Sequence, residues 1–171
     1  RGPSDLRELV LVLGACMTVK AGKAKDVSEA RQMLEESLKT GRAFEVFREV
    51  IRAQGGDPKE AEQPELLPSA RFQEAVPAPE DGYVADIATE EIGNICLLLG
   101  GGRETKESRI DLSVGLVLAR KKGDRVKKGE TLAVIHANDR GLLAQASERL
   151  AAAYTLSGER PAVPRLIKKI I

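Results

Sequence analysis

The chain has 171 residues, and its 27 Lys and Arg residues nearly balance its 26 Asp and Glu residues, for a formal net charge of +1. This balance argues against nucleic acid or an anionic membrane surface as a partner, since both attract strongly basic domains. Aromatic residues make up only 3% of the chain, which argues against base-stacking platforms. A hydrophobic fraction of 42% beside a charged fraction of 31% predicts a buried core in one domain or two small ones.

The cysteines and the N-terminus bear on the cellular compartment. Cys16 and Cys96 stand in apolar surroundings, so we expect buried free thiols. The longest apolar runs are too short to span a bilayer, and the first residues lack the pattern of a signal peptide. We therefore expect a cytoplasmic protein. Because the chain begins with Arg1 and not with Met, we also expect it to be part of a longer polypeptide.

Residues 1–56 predict three helices. Ser4 or Asp5 can cap the first, Ser28 begins the second, Gly41 ends the second, and Gly55 with the glycine after it ends the third. Apolar residues recur at intervals of three and four in each helix, and we expect these stripes to be core surfaces. The stripe of the first helix consists of Leu6, Leu9, Val10, Leu13 and Met17.

Residues 57–76 are rich in Pro, Glu and Gln, and the prolines here interrupt any long helix. We predict an extended linker at 57–76, followed by a second region at 77–171. The second region predicts a strand at 83–87, a helix at 89–99, a strand within 111–119, a turn–strand–turn–strand unit at 121–135 and a helix at 142–156. The predicted fold class is α+β, with an N-terminal helical segment, a β subdomain with a helical insertion, and a C-terminal helix.

Two motifs invite a functional interpretation. The glycines at 100–102, followed by Arg103, resemble an anion-binding loop, but they come after a helix, where glycine commonly supplies the positive φ of a C-terminal cap. His136 is the only histidine, and a metal site or a catalytic triad would need partners that the sequence does not provide. We therefore predict structural roles for both motifs. The basic residues between 120 and 128, diluted by Asp124, predict a solvated hairpin face.

One pattern resembles the hammerhead, or barrel-sandwich, fold of biotinyl and lipoyl carrier domains. A glycine-led strand at 82–84 is followed by the segment Gly-Asp-Arg-Val-Lys-Lys-Gly-Glu-Thr-Leu at 123–132. In the carriers a lysine at a hairpin tip then bears the prosthetic group, but here Asp139 occupies that place, so there is no amine to acylate. A helical insertion at 88–110 also separates the two halves, as it does not in carriers. The resemblance therefore implies the fold and not the carrier function.

Taken in order, several segments resemble the C-terminal portion of pyrimidine-nucleoside or thymidine phosphorylases. They are Gly-Pro-Ser-Asp-Leu at 2–6, Ala-Gln-Gly-Gly-Asp at 53–57, the Asp-Gly turn at 81–82, Leu-Gly-Gly-Gly-Arg at 99–103, Ile-Asp-Leu-Ser-Val-Gly at 110–115, and the stretch from 122 to 136 that ends in His136. Each segment alone is weak, but their shared order covers essentially the whole chain.

The resemblance implies an enzyme that cleaves thymidine or uridine with phosphate, releasing the base and a (2-deoxy)ribose 1-phosphate. It implies a homodimer with a cleft between a helical domain and a large α/β domain. Residues 1–56 would supply helices to the large domain, and 77–171 would form a hammerhead-like subdomain. The family's phosphate-binding, base-binding and potassium-type ion ligands lie upstream of Arg1. The resemblance therefore implies that this chain holds no catalytic, cofactor-binding or metal-binding residue. It also implies that the partner of the chain is the N-terminal portion of the same enzyme.

Two alternatives stay open at the level of sequence. An AMP-type nucleotide phosphorylase shares a similar C-terminal subdomain, although the Gly-Gly-Arg turn and its spacing to Ile110 favour the nucleoside enzyme. A non-carrier, biotinyl-like interaction module is the second alternative, and the residue at Asp139 argues only against the carrier form of it. Preference between thymidine and uridine would be decided upstream.

Overall fold

The computed structural model describes residues 2–103 and 105–169, which fold as two compact units. The first unit holds the helices up to Pro64, together with the segment that begins at Pro164, and the second unit is Glu65–Val163. The first unit is helical, while the second combines two antiparallel sheets with two helices. The predicted α+β class is confirmed. The division between the units falls inside the segment that the sequence predicts as a linker.

The three predicted helices of the first unit are confirmed as α1 (Ser4–Lys20), α2 (Val27–Lys39) and α3 (Arg42–Ala53). The start of α2 differs from the prediction at Ser28. Asp26 is its N-cap, and the side-chain Oδ1 of Asp26 accepts a 2.9 Å hydrogen bond from the backbone N–H of Glu29. A carboxylate at this position accepts a hydrogen bond from a backbone N–H that has no partner within the helix, and its charge is stabilised by the positive end of the helix dipole.

The core of the first unit lies between α1 and α2. Leu11 and Ala15 of α1 and Ala30 of α2 are buried. A two-pronged ion pair between Arg31 and Glu8 joins the same two helices, with nitrogen–oxygen distances of 2.9 and 2.6 Å.

Within the described residues, the prediction that the apolar stripes of this unit are core surfaces is wrong for α1 and α3, and for Met33 and Leu38 of α2. The stripe residues Leu6, Val10, Leu13 and Met17 are exposed, and α3 buries none of its residues. The reason is that α1 is apolar on more than one side, and α2 covers only the side that carries Leu11 and Ala15.

The segment predicted as an extended linker contains regular structure. Residues Lys59–Glu62 form the short helix α4, and Pro64–Leu66 forms a 3-10 turn. Pro58 precedes α4 with a φ of −63°, which suits a helix start. Strand β1 (Phe72–Pro77) then pairs with a strand some sixty residues further along. The prolines therefore punctuate short elements here and do not keep the whole segment extended.

The second unit contains two three-stranded antiparallel sheets. Besides β1, its strands are β2 (Gly82–Ile87), β3 (Gly115–Leu118), β4 (Arg125–Val126), β5 (Thr131–Ala137) and β6 (Tyr154–Ser157). The sheet orders are β1-β5-β3 and β4-β2-β6, and among the described residues neither sheet closes into a barrel. The predicted helical insertion is confirmed as α5 (Thr89–Leu98), and the predicted C-terminal helix is confirmed as α6 (Arg140–Ala153).

The core of the second unit is built from the inward faces of these strands and helices. Ala133, Ile135 and Ala137 of β5 are buried in alternation, as expected for a strand with one covered face, and Leu132 near its start is buried as well. Helix α6 contributes its predicted stripe of Leu143, Ala146 and Leu150, and Ile95 of α5 is fully buried. The largest fully buried side chains of the strands are Val76, Val84, Val126, Leu132 and Ile135.

The prediction that the last helix continues to residue 156 is wrong. Helix α6 ends at Ala153, and Tyr154 begins β6, which pairs with β2. The hydroxyl of Tyr154 donates to the backbone carbonyls of Arg120 (3.2 Å) and Leu132 (3.3 Å). Pairing with a distant strand and these hydrogen bonds override the local helical periodicity, because propensity is a weak determinant beside tertiary contacts.

Candidate functional site

A cluster of polar side chains joins three segments of the second unit. The Nδ2 of Asn138 donates to Asp111 Oδ2 (2.7 Å) and to Ser113 Oγ (2.9 Å), and its Oδ1 accepts from the backbone N–H of Arg71 (2.8 Å). The other oxygen of Asp111, Oδ1, accepts from the Ser113 N–H (2.9 Å) and hydroxyl (2.6 Å). The cluster ties the loop before β3 and the entry to β1 to the turn between β5 and α6.

The electrostatics of the cluster favour an ionised Asp111. The Ser113 hydroxyl, then the Ser113 N–H, and then Asn138 hold the pKa of the Asp111 carboxyl below its ordinary value. Hydrogen bonds to a charged carboxylate stabilise that form and make it a poorer base. Since both oxygens of Asp111 already accept hydrogen bonds, we interpret the cluster as an anchor for three chain segments and not as a proton-transfer site.

A cavity of about 490 Å³ lies next to this anchor, between β1 and the start of α6. Arg71, Glu74 and Arg140 supply its charges, and the Arg140 guanidinium stands 5.0 Å from the centre of the Phe72 ring. A guanidinium over an aromatic face is a stabilising contact. Among the residues that line the cavity there is no Ser, Thr, Cys, His or Lys. The cavity therefore brings no side-chain nucleophile to a bound molecule beyond the Glu74 carboxylate.

The glycine turn after α5 uses its backbone donors internally. The N–H of Gly100 donates to the Leu97 carbonyl and the N–H of Gly101 to the Cys96 carbonyl, both at 2.9 Å. Gly100 has a φ of +96°, the conformation expected where glycine ends a helix. The Gly100 carbonyl accepts from the Asp111 N–H at 2.9 Å. These bonds support the prediction of a helix cap over that of an anion-binding loop, and Arg103 lies exposed beyond it.

His136 lies on β5, where it is half-buried and faces Gln73 of β1 and Gly115 of β3 in the ladder. Over residues 2–103 and 105–169, no three His, Cys, Asp or Glu side chains are grouped so that they could hold a metal ion. The structural role predicted for His136 fits this position.

Two basic residues of the 120–128 hairpin pair with carboxylates, one on β2 and one just before β5. Lys122 Nζ lies 2.9 Å from Asp86 Oδ1, and Arg120 lies 3.3 Å from Glu130. The Lys122 ammonium lowers the pKa of Asp86 through a hydrogen bond and through its charge. This pairing supports the solvated-face interpretation over a nucleic-acid patch.

Asp139, which occupies the place of the carrier lysine, is the N-cap of α6. Its Oδ1 accepts a 2.9 Å hydrogen bond from the Leu142 N–H. The chain thus passes from β5 directly into a helix, and the hairpin tip of a carrier domain is replaced by a helix start. Sequence reasoning missed this cap and the Asp111–Asn138 contact. An Asn-Asp pair before a helix was the available signal for the cap, but nothing local connects Asn138 to Asp111.

Residues 83–157 match the family described as the pyrimidine nucleoside phosphorylase C-terminal domain. This match assigns most of the second unit to the class of C-terminal domains of nucleoside phosphorylases.

Curated relatives extend the likeness over the rest of the chain. The pyrimidine-nucleoside phosphorylase of Bacillus subtilis is 50% identical over 137 residues, which is 80% of this chain and 32% of that protein. The enzymes of the same name from Staphylococcus epidermidis and Staphylococcus aureus strain USA300 are 45% and 43% identical, over 99% and 100% of this chain and 39% of each relative. The chain therefore belongs to the pyrimidine-nucleoside phosphorylase family, of which it is a C-terminal portion, and it spans roughly a third to two fifths of these relatives.

Within the described parts of the chain, every helix is too short or too polar to cross a bilayer.

Proposed function

We propose that the complete protein cleaves pyrimidine nucleosides with inorganic phosphate. The observation that carries this proposal is 43–50% identity, over 80–100% of the chain, to proteins named pyrimidine-nucleoside phosphorylase. Thymidine and uridine are the proposed substrates. The products are the free base and 2-deoxyribose or ribose 1-phosphate, so the reaction is a pentosyl transfer, and the enzyme is a glycosyltransferase.

The chemistry sets the requirements of the active site. An oxygen of phosphate bonds to C1′ of the sugar, the bond from C1′ to the base nitrogen breaks, and the electron pair of that bond leaves with the base. By analogy with glycoside cleavage, the transition state has oxocarbenium character. Donors that hold the phosphate and donors that stabilise the departing base supply the catalysis. We propose that these groups lie in the upstream portion of the enzyme.

The proposed contribution of this chain is structural. The side chains of the Asp111–Ser113–Asn138 cluster hydrogen-bond to one another, and the Asp111 N–H donates to the Gly100 carbonyl of the glycine turn. Because these groups bond internally, they support a role as a scaffold that shapes the wall of the cleft. We propose that the potassium-type ion of the family is also held by the upstream portion. The proposed assembly is a cytoplasmic homodimer in which each chain joins its own N-terminal portion.

The experiment that tests the proposal uses a fusion in which residues 1–171 replace the matching portion of the S. aureus relative, which aligns over the whole chain. Release of uracil from uridine and of thymine from thymidine is measured with and without phosphate. We expect phosphate-dependent activity on the nucleosides, because this chain can then replace the matching portion of the relative. A folded fusion that cleaves neither nucleoside would overturn the proposal.

A further inference from the structure

Strand β1 forms one wall of the cavity of about 490 Å³ in the second unit. Phe72 and Glu74 both line the cavity, and they project from the same face of β1 because successive side chains of a strand alternate between its two faces. Their partners on β5 are Ala137 and Ile135, both of which are buried. Since directly paired residues share a face of the sheet, Phe72 and Glu74 lie on the face that carries the core.

Helix α6 forms the other wall with Arg140, Leu143 and Ala144. Their spacing of three and four residues places these side chains on one side of the helix. Leu143 is 9% exposed and belongs to the core, so α6 is held firmly against the sheet at this point. The cavity therefore lies between two packed elements.

The charged groups that line the cavity are not paired with one another. Within the described part of the chain, Arg71, Glu74 and Arg140 form no ion pair. Other arginines, such as Arg31 and Arg149, do contact carboxylates, at nitrogen–oxygen distances of 2.6 Å. Because two guanidinium groups face one carboxylate, the cavity has hydrogen-bond donors and positive charge to offer to an anion.

Both arginines are held in place within the folded chain. The Arg140 guanidinium stands 5.0 Å from the centre of the Phe72 ring, and the backbone N–H of Arg71 donates to Asn138 Oδ1 at 2.8 Å. The carboxylate of Asp139 does not line the cavity, and it is engaged as the N-cap of α6. Groups that are positioned in advance lose little conformational freedom on binding, which favours affinity.

We infer that the cavity binds a small phosphate monoester that also carries hydroxyl groups, as a sugar phosphate does. The planar guanidinium group matches the geometry of phosphate oxygens, so the phosphate is assigned to Arg71 and Arg140. An ionised Glu74 only accepts hydrogen bonds, and it therefore repels a bare anion but binds hydroxyl groups. The volume lies within the range of about 300–1,000 Å³ that small-molecule sites occupy. This site is separate from the catalytic groups, which are proposed to lie upstream.

The test measures binding of glucose 6-phosphate to the fusion with the S. aureus relative by isothermal titration calorimetry. This probe carries both a phosphate and hydroxyl groups, and it is neither a substrate nor a product of the proposed phosphorolysis. The test variant is Arg71→Gln/Arg140→Gln, which removes both guanidinium groups and keeps helix propensity at the start of α6. We expect its dissociation constant to rise at least about tenfold, as for the loss of hydrogen bonds to a charged group.

The matched control is Arg125→Gln. Arg125 lies exposed on β4, in the same unit but outside the cavity, so this variant tests for a general attraction to positive charge. We expect its dissociation constant to change by less than about twofold, because exposed charges at a distance are screened. An equal loss in the control and the test variant, or no binding by the folded wild type, overturns the inference.

A single variant guards against loss of stability in the double variant. Arg71 is exposed and precedes β1, so Arg71→Gln leaves the strand and the helix intact. We expect it to weaken binding of glucose 6-phosphate severalfold with an unchanged melting temperature. Unchanged binding by Arg71→Gln also overturns the inference.

Glu74→Gln separates the two parts of the ligand. Methyl phosphate, which has the phosphate without the hydroxyl groups, is titrated beside glucose 6-phosphate. We expect Glu74→Gln to bind methyl phosphate more tightly, because a repelling charge is removed, and to lose severalfold in its preference for glucose 6-phosphate over methyl phosphate. Weaker binding of methyl phosphate, or an unchanged preference, contradicts a site that selects hydroxyl groups through Glu74.

The inference and the proposed function fail in distinguishable ways. A folded fusion that cleaves uridine and does not bind glucose 6-phosphate refutes the site and leaves the function standing. A fusion that is inactive on both nucleosides, and that binds glucose 6-phosphate only when both arginines are present, refutes the function and leaves the site standing.

Discussion

Asp111 is the residue on which the junction of three segments of the second unit depends. Its two oxygens accept from Ser113 and Asn138, and Asn138 in turn accepts from the backbone of Arg71. These contacts span from residue 71 to residue 138, so they fix the loop before β3 relative to β1 and α6. Stability that depends on an ionised carboxylate should also depend on pH.

We expect the Asp111 contribution to disappear in acid. The folded-state pKa of Asp111 is below its ordinary value, so the stabilisation is present above the unfolded pKa of about 4 and is lost as pH falls through the folded pKa. Thermal unfolding of the wild type and of Asp111→Asn, measured from pH 7 down to pH 2, checks this. The difference in melting temperature should be largest near neutrality and shrink below about pH 4. A difference that stays constant with pH would contradict the role of the charge.

Gly82 lies where strand β6 leaves no room for a side chain. An added Cβ would lie 2.7 Å from the backbone carbonyl oxygen of Ser157 on β6, whereas a Cβ on Gly93 in α5 would meet nothing within 4 Å. Gly82→Ala should therefore destabilise the β2–β6 pairing by about 1 kcal/mol or more, because a backbone cannot move aside freely. The control, Gly93→Ala, should stabilise the chain by about 0.5–1 kcal/mol. Urea unfolding measures both, and equal effects would refute the close approach.

The sequence predicts individual residues well only where the reason is local. The glycine cap after α5 follows from a helix and the glycines after it, and Leu143 and Leu150 follow from the periodicity of α6. The contact between Asn138 and Asp111 could not be predicted, because the two residues are far apart in sequence and meet only when the sheet forms. Exposure of Leu13 was also beyond sequence reasoning, since periodicity identifies an apolar stripe but not whether anything covers it.

At the scale of elements, α6 depends on its first residues. The Asp139 side chain caps the Leu142 N–H, and α6 then supplies three fully buried or nearly buried side chains to the core. Replacing such a cap by Ala costs about 1 kcal/mol. We expect Asp139→Ala to lower the free energy of unfolding by about that amount, and Gln145→Ala, at an exposed position of the same helix, to leave it unchanged or slightly higher. Guanidinium unfolding followed by circular dichroism measures both free energies of unfolding. Equal values for the two variants would contradict the role of Asp139 as a cap.

The two elements that were not predicted from the sequence, β1 and β6, are edge strands of their sheets. Strand β1 lies in the Pro-rich segment and β6 in the apparent extension of α6, and each is stabilised by pairing with a strand far away in sequence. The strands with strong local signals, β2 and β5, were predicted within a few residues. The helices of the first unit were predicted for the same reason, since their capping residues and glycine stops are local.

At the scale of the whole molecule, the proposed structural role predicts that the enzyme tolerates substitution of His136 and of Arg103. In the fusion with the upstream portion of the S. aureus relative, His136→Gln and Arg103→Gln should change kcat/KM for uridine by less than about twofold, because removal of a group that contacts the transition state costs far more. Melting temperatures are measured in parallel. A loss of about a hundredfold in kcat/KM with an unchanged melting temperature would show that this chain contributes to the active site.

The central claim, that this chain is the supporting C-terminal portion of a pyrimidine-nucleoside phosphorylase, is tested most directly by one comparison of uridine phosphorolysis. The isolated 171-residue chain and the fusion are assayed side by side for phosphate-dependent release of uracil. We expect the isolated chain to be inactive and the fusion to release uracil only when phosphate is present. Activity of the isolated chain, or a folded fusion that does not cleave uridine or thymidine, would contradict it.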